Sequence, residues 1–100
     1  MDSAQKIVIE QLDTSESVRA DLMLAPLVKR IRAVGFVPNL PIKAFREGMR
    51  IVVYDGVRRI EALRTVRNEN PEYFNRIVPD GCVECIVYAS KAAAYRALLV

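Results

Sequence analysis

The chain has 100 residues, with 15 Lys and Arg against 12 Asp and Glu, 52% apolar residues, two Cys and no His. That length holds one hydrophobic core, the apolar fraction is that of a folded domain rather than a disordered chain, and a net charge of +3 is only a mild basic excess. Without imidazole, His-based triads, His-ligated zinc and a histidine general base are excluded, leaving carboxylates, Lys, Tyr and two thiols for any chemistry.

The N-terminus, Met-Asp-Ser-Ala-Gln-Lys, lacks the basic flank and long apolar stretch of a secretory signal. The longest apolar run, Leu22 to Val28, is broken by Pro26 and falls far short of the roughly 20 residues that cross a bilayer. The chain reads as soluble, cytoplasmic and without a membrane partner. Lys6 to Leu12, β-branched at 7, 8 and 9, predicts a first strand. The polar stretch 13–17 predicts a loop that caps a short helical turn from Val18 to Leu24. Pro26 suits a first helical position, and Leu27, Val28, Ile31 and Val34 then share one face of a helix closed by Gly35. Leu40 to Phe45 and Arg50 to Tyr54 predict two short strands joined through Glu47-Gly48. Asp55-Gly56 ends the second of them and a helix follows from Val57 to Arg67. A loop around Asn70-Pro71 with a turn through Tyr73-Phe74, a Pro79-Asp80-Gly81 turn, a strand from Val83 to Tyr88 and a Ser90-capped helix from Lys91 to Val100 complete the chain. The order β-α-β-β-α-β-α predicts an α+β fold, a small mixed sheet with helices packed on it, as a single domain over residues 1–100.

Cys82 and Cys85 have zinc-like spacing, but no further Cys or His exists to complete four ligands, and on a strand the two positions face opposite ways. They read as buried thiols. The last helix stops at Leu98-Leu99-Val100 without Gly or a polar tail, and Ala92, Ala93, Tyr95, Leu98 and Leu99 almost encircle it. This suggests a domain cut from a longer chain or a partner surface; the plain alternative is that the last three residues simply finish the core.

The most informative segment is Ile51 to Arg64. A buried-type strand enters a tight Asp55-Gly56 turn and opens a helix whose first turn carries Arg58 and Arg59. Free backbone N–H groups and two guanidinium groups then meet where an anion would be welcome, and Gly56 lets a ligand approach the backbone closely. At about 100° per residue, Ala62, Leu63 and Val66 define the apolar arc, with Ile60 at its edge. Arg59 falls inside that arc and should point beneath the helix. An inward charge needs an acceptor, either a phosphate-like ligand or an internal partner such as Asp55, Glu61 or Glu10, unless the guanidinium snorkels out to water. Residue physics alone leaves these readings open.

The run Asp55-Gly56-Val57-Arg58-Arg59-Ile60-Glu61-Ala62 after a strand, with a later strand and helix, resembles the N-terminal domain of ParB-type partition proteins, in the superfamily they share with sulfiredoxin. Arg19 in Ser17-Val18-Arg19-Ala20-Asp21 is similar to that family's early arginine, Leu27 to Gly35 with Pro38 to Ile42 to its helix, glycine and Pro-containing strand start, and Gly56-Val57-Arg58-Arg59 to its Gly-Glu-Arg-Arg phosphate motif. The resemblance covers most of the chain and implies a ParB/sulfiredoxin-like fold. It also implies a nucleotide-binding regulatory module taking CTP or ATP with Mg²⁺, in which Gly56, Val57, Arg58 and Arg59 hold phosphates and Arg19 closes over them. Self-association through the C-terminal helix follows from the same resemblance, as does DNA contact through a helix-turn-helix domain further along, in a setting of nucleoid, plasmid or phage. Two departures stand out. Val57 replaces the acidic residue of the motif, and the Asn-x-x-Arg box that follows the last helix in the family is not found within these residues. Sulfiredoxin activity is not expected, because the cysteine and histidine of its Gly-Cys-His-Arg motif are Val57 and Arg58 here.

Two other readings belong beside this one. Relatives include metal-dependent nucleases, for which Asp55 and Glu61 are the available carboxylates, and a module that kept the fold without a ligand would leave Arg59 salt-bridged. Arg30, Arg32, Arg46, Arg50, Arg64, Arg67 and Arg76 could serve phosphate or nucleic-acid contact, but with acidic residues interspersed a solvated surface is the plainer reading. Tyr54, Tyr73, Phe74, Tyr88 and Tyr95 suit core or rim packing better than base stacking.

Overall fold

A computed structural model describes residues 4–15, 23–36 and 41–98. Its strands are β1 (Ala4–Val8), β2 (Leu12–Asp13), β3 (Ile42–Glu47), β4 (Arg50–Asp55) and β5 (Cys82–Tyr88); its helices are α1 (Leu24–Val34), α2 (Val57–Glu69), α3 (Pro71–Ile77) and α4 (Lys91–Leu98). The strands form one mixed sheet in the order β1-β5-β3-β4-β2. β1–β5 and β3–β4 are antiparallel, while β3–β5 and β2–β4 are parallel. The expected α+β class holds.

The predicted strand from Lys6 to Leu12 is in fact two strands on opposite edges of the sheet, separated by a 3-10 turn over Ile9–Gln11. β-Branching cannot reveal this, because Ile7, Ile9 and Leu12 are all buried on either side of the break. The turn is held by the Ile9 amide, which donates to the Gly81 carbonyl at 3.0 Å. Four strand spacings in a flat sheet amount to about 19 Å, whereas the four residue steps from Val8 to Leu12 reach at most about 14 Å. The sheet must therefore coil around its helices.

Alternation sorts the two faces. Ile42 and Ala44 of β3, Ile51 and Val53 of β4, and Val83, Cys85 and Val87 of β5 pack with Val28 and Ile31 of α1, Ile60, Leu63 and Val66 of α2, and Phe74 of α3 in the main core. Phe45 and Val52, on the opposite face, meet Ala94 of α4 in a much smaller cluster flanked by Tyr54 and Tyr88. β1 is an edge strand with Lys6 at its centre, bonded to Asp80 at 2.9 Å, and a charge there discourages pairing with another chain.

Several element limits differ from expectation. Pro26 is the third residue of α1 rather than the first, a position still free of the need for an N–H donor. Glu47 pairs with Arg50, so the hairpin loop is Gly48-Met49, with positive φ (61°) at its first position as a type II′ turn requires. Asn70-Pro71, read as loop, instead starts a seven-residue helix. The Asn70 side chain accepts from the Tyr73 amide at 3.1 Å and Pro71 takes the first helical position. The turn expected at Val18–Leu24 lies outside the described residues up to position 22. Ser90 caps α4 as expected, its hydroxyl oxygen accepting from the Ala93 amide at 3.1 Å. Cys85 is fully buried toward the helices, but Cys82 is only half-buried on the other face, so one of the two expected buried thiols is partly open.

Candidate functional site

β4 delivers the chain to the start of α2 through Gly56, which adopts φ 102° and ψ 15°. A β-carbon there would lie 2.4 Å from Ile42 Cδ1, 2.9 Å from Arg59 Nη2 and 3.3 Å from Arg59 Cζ. The conformation therefore calls for glycine, and a β-carbon would also push aside the ends of the Ile42 and Arg59 side chains. The same distances locate Arg59: its guanidinium folds back against the Gly56 backbone beside β3, beneath the opening turn of α2, as the helical period implied. It also lies near enough to Cys85 to oppose the rise in that thiol's pKa, which burial pushes up to about 11. Arg59 is half-buried, and neither it nor Arg58 hangs free in solvent.

Arg58, on the exposed side of the same turn, donates from Nη2 to the Met23 carbonyl at 3.1 Å. At the other end of these helices Arg32 pairs with Glu69. α1 and α2 therefore run side by side in the same direction, with their N-termini together. Among the described residues neither start carries a side-chain cap from its N-cap residue, so the first backbone N–H groups of both helices lie at one end of the molecule.

The candidate carboxylates do not gather there. β4 carries an extra residue at Tyr54, because Val53 faces Ala44 and Asp55 faces Lys43. This bulge turns Asp55 toward the sheet face away from α2. Glu61 is engaged elsewhere, accepting from Thr14 Oγ1 at 2.5 Å and from Arg64 Nη1 at 2.8 Å. Glu10, another partner considered for Arg59, accepts from Arg67 at 2.6 Å. Among the described residues no group of three or more His, Cys, Asp or Glu is placed to hold a metal ion. Arg19 lies outside the described residues. The structure thus sets Arg59 against Gly56, packs Val57 into the main core, extends Arg58 to Met23 and leaves Asp55 and Glu61 apart.

Sequence reasoning missed a second polar centre. Arg64, grouped with the surface arginines, is half-buried and donates to the Leu12 carbonyl at 2.6 Å, the Ile9 carbonyl at 3.2 Å, Thr14 Oγ1 at 3.0 Å and Glu61. It binds both ends of the β1–β2 crossing to α2. Beside it Arg50 donates to Asp13 at 2.8 Å and to Glu47 at 3.1 Å. Bonds from the Ser15 hydroxyl and amide, then from Arg50, hold the Asp13 carboxyl down at about 2. Arg64, Arg50, Asp13, Thr14 and Ser15 line an open hollow of about 450 Å³ at the far end of β4 from Gly56. Its arginines are bonded to carboxylates of the same chain, so the network is a fastening for the β2 edge rather than an anion site. The signal that identifies Arg64 is its spacing from Ile60 and Leu63, which sets it at the margin of the buried face.

No protein-family model matches the chain, and no curated protein matches it significantly. Among solved structures it is similar to sulfiredoxin from Arabidopsis thaliana, with a TM-score of 0.50 over 98% of each chain and 15% identity. That likeness shows the fold: a five-stranded mixed sheet and helices in the ParB/sulfiredoxin arrangement.

Proposed function

We propose that this domain binds a phosphorylated nucleotide at the start of α2, as a regulatory module of the ParB type taking CTP or ATP with Mg²⁺. The observation that carries the reading is the Arg59 guanidinium lying against the Gly56 backbone, where a fixed cation joins the first backbone N–H groups of α2. Gly56, Val57 and Arg58 would meet the phosphates through backbone N–H groups and a second guanidinium, and Arg19 would add to them from the segment before α1. Val57, unlike the acid in the partition motif, brings no negative charge to the turn. DNA contact would fall to a helix-turn-helix elsewhere in a longer chain. Self-association would use α4, whose Tyr95 and Leu98 are exposed.

Calorimetry with CTP, ATP and GTP, each with Mg²⁺, tests this. Binding of one of them, abolished in Arg59→Ala, is the expected result. No heat with any nucleotide would reduce Arg59 to a structural arginine. The nuclease reading gains no support from the carboxylates, since Asp55 and Glu61 face different parts of the molecule.

A further inference from the structure

We propose that the Arg58–Met23 contact is a latch that couples occupancy of the α2 start to the backbone at the start of α1. The proposal rests on the anion site described above and adds its regulation. Among the described residues Met23 alone, apart from glycines, has positive φ, with φ 47° and ψ 57° in the left-handed region that L-residues disfavour. Its side chain does not explain the conformation, because the residue is 70% exposed and supplies no cap to α1. Its carbonyl is held instead by Arg58 Nη2, from a residue 35 positions away. One guanidinium therefore serves two ends: it holds a strained residue at the head of α1, and it stands where the proposed phosphates bind.

A phosphoanion is a stronger acceptor for a guanidinium than a neutral carbonyl is. An anion at Gly56 therefore draws Arg58 toward α2 and away from Met23. Once released, Met23 returns to negative φ, and the first turn of α1 that starts from it loosens. Binding at one helix is thereby read out at its neighbour through a two-state residue.

Two measurements test the latch with inorganic tripolyphosphate as probe. Without ligand, Arg58→Gln should speed hydrogen exchange several-fold at the Leu27 and Val28 amides, in the first turns of α1, while the α2 amides stay as they were. Unchanged exchange would overturn the latch whatever the fate of the anion site. With tripolyphosphate the wild-type protein should show the same acceleration at Leu27 and Val28. Met23→Gly, which makes the latched conformation comfortable, should weaken tripolyphosphate binding by about fivefold. Binding without faster exchange, or with equal affinity in Met23→Gly, would overturn the latch alone. Absence of tripolyphosphate binding in calorimetry would overturn the site itself.

Discussion

Gly56 is held in a conformation that an L side chain rarely adopts. Replacing it with Ala combines an unfavourable positive φ with a β-carbon 2.4 Å from Ile42 Cδ1, and should cost about 2 kcal/mol of stability. A lowered urea midpoint with an unchanged m value would show it. Asp13 gives a pH signature. Its carboxyl is held at about 2, below the ordinary value of 3.8, so the charged form favours the folded state. That contribution is fully present above pH 4 and disappears as pH falls toward 2. Asp13→Asn should flatten this part of the pH–stability curve, and a curve like that of the wild type would contradict the assignment. At this scale the sequence was most readable where chemistry and periodicity coincide. Arg59 falls inside the apolar arc of α2 and does lie beneath the helix. The side on which Asp55 lies could not be read, because a one-residue bulge reverses which face a side chain takes and no residue type announces a bulge at Tyr54.

The elements differ in how firmly they are held. α1, α2 and α3 share the main core, whereas α4 rests on Phe45, Val52 and the two tyrosines through Ala94. The Tyr54 hydroxyl is shut away there without a hydrogen-bond partner among the described residues, and burial, with Tyr88 beside it, pushes its pKa up to about 12. Tyr54→Phe should therefore leave stability unchanged or raise it by up to about 1 kcal/mol. Thermal unfolding measures this, and a clear loss would mean that the hydroxyl is bonded after all. Arg64 is the opposite case. Arg64→Met would leave the Ile9 and Leu12 carbonyls without this donor and the Glu61 carboxylate with Thr14 but without its countercharge, at a cost of about 3 kcal/mol. Elements with sustained periodicity, such as α2, or with strand-type runs between turns, such as β4 and β5, could be read within two residues of their ends. The β1–β2 break could not, because it is imposed by the Gly81 carbonyl and by Arg64, both far away in sequence. α3 was hidden because Asn-Pro serves equally as a turn and as the cap and first residue of a helix.

At the scale of the whole molecule, the coiled sheet places two helix starts side by side, with Arg58 reaching from one to the other and Arg59 folded back beneath α2. The likeness to sulfiredoxin carries that frame, while the side chains at the α2 start carry the proposed chemistry. No helix among the described residues is long and apolar enough to cross a membrane. The network around Arg64 fastens the opposite end, so a ligand at Gly56 should leave Asp13 and Thr14 undisturbed. The most direct test of the account is calorimetric titration of the wild-type protein and of Arg59→Ala with CTP and ATP in the presence of Mg²⁺. Saturable binding by the wild type that vanishes in a folded Arg59→Ala protein is the expected result; equal binding by the two proteins, or none by either, would contradict it.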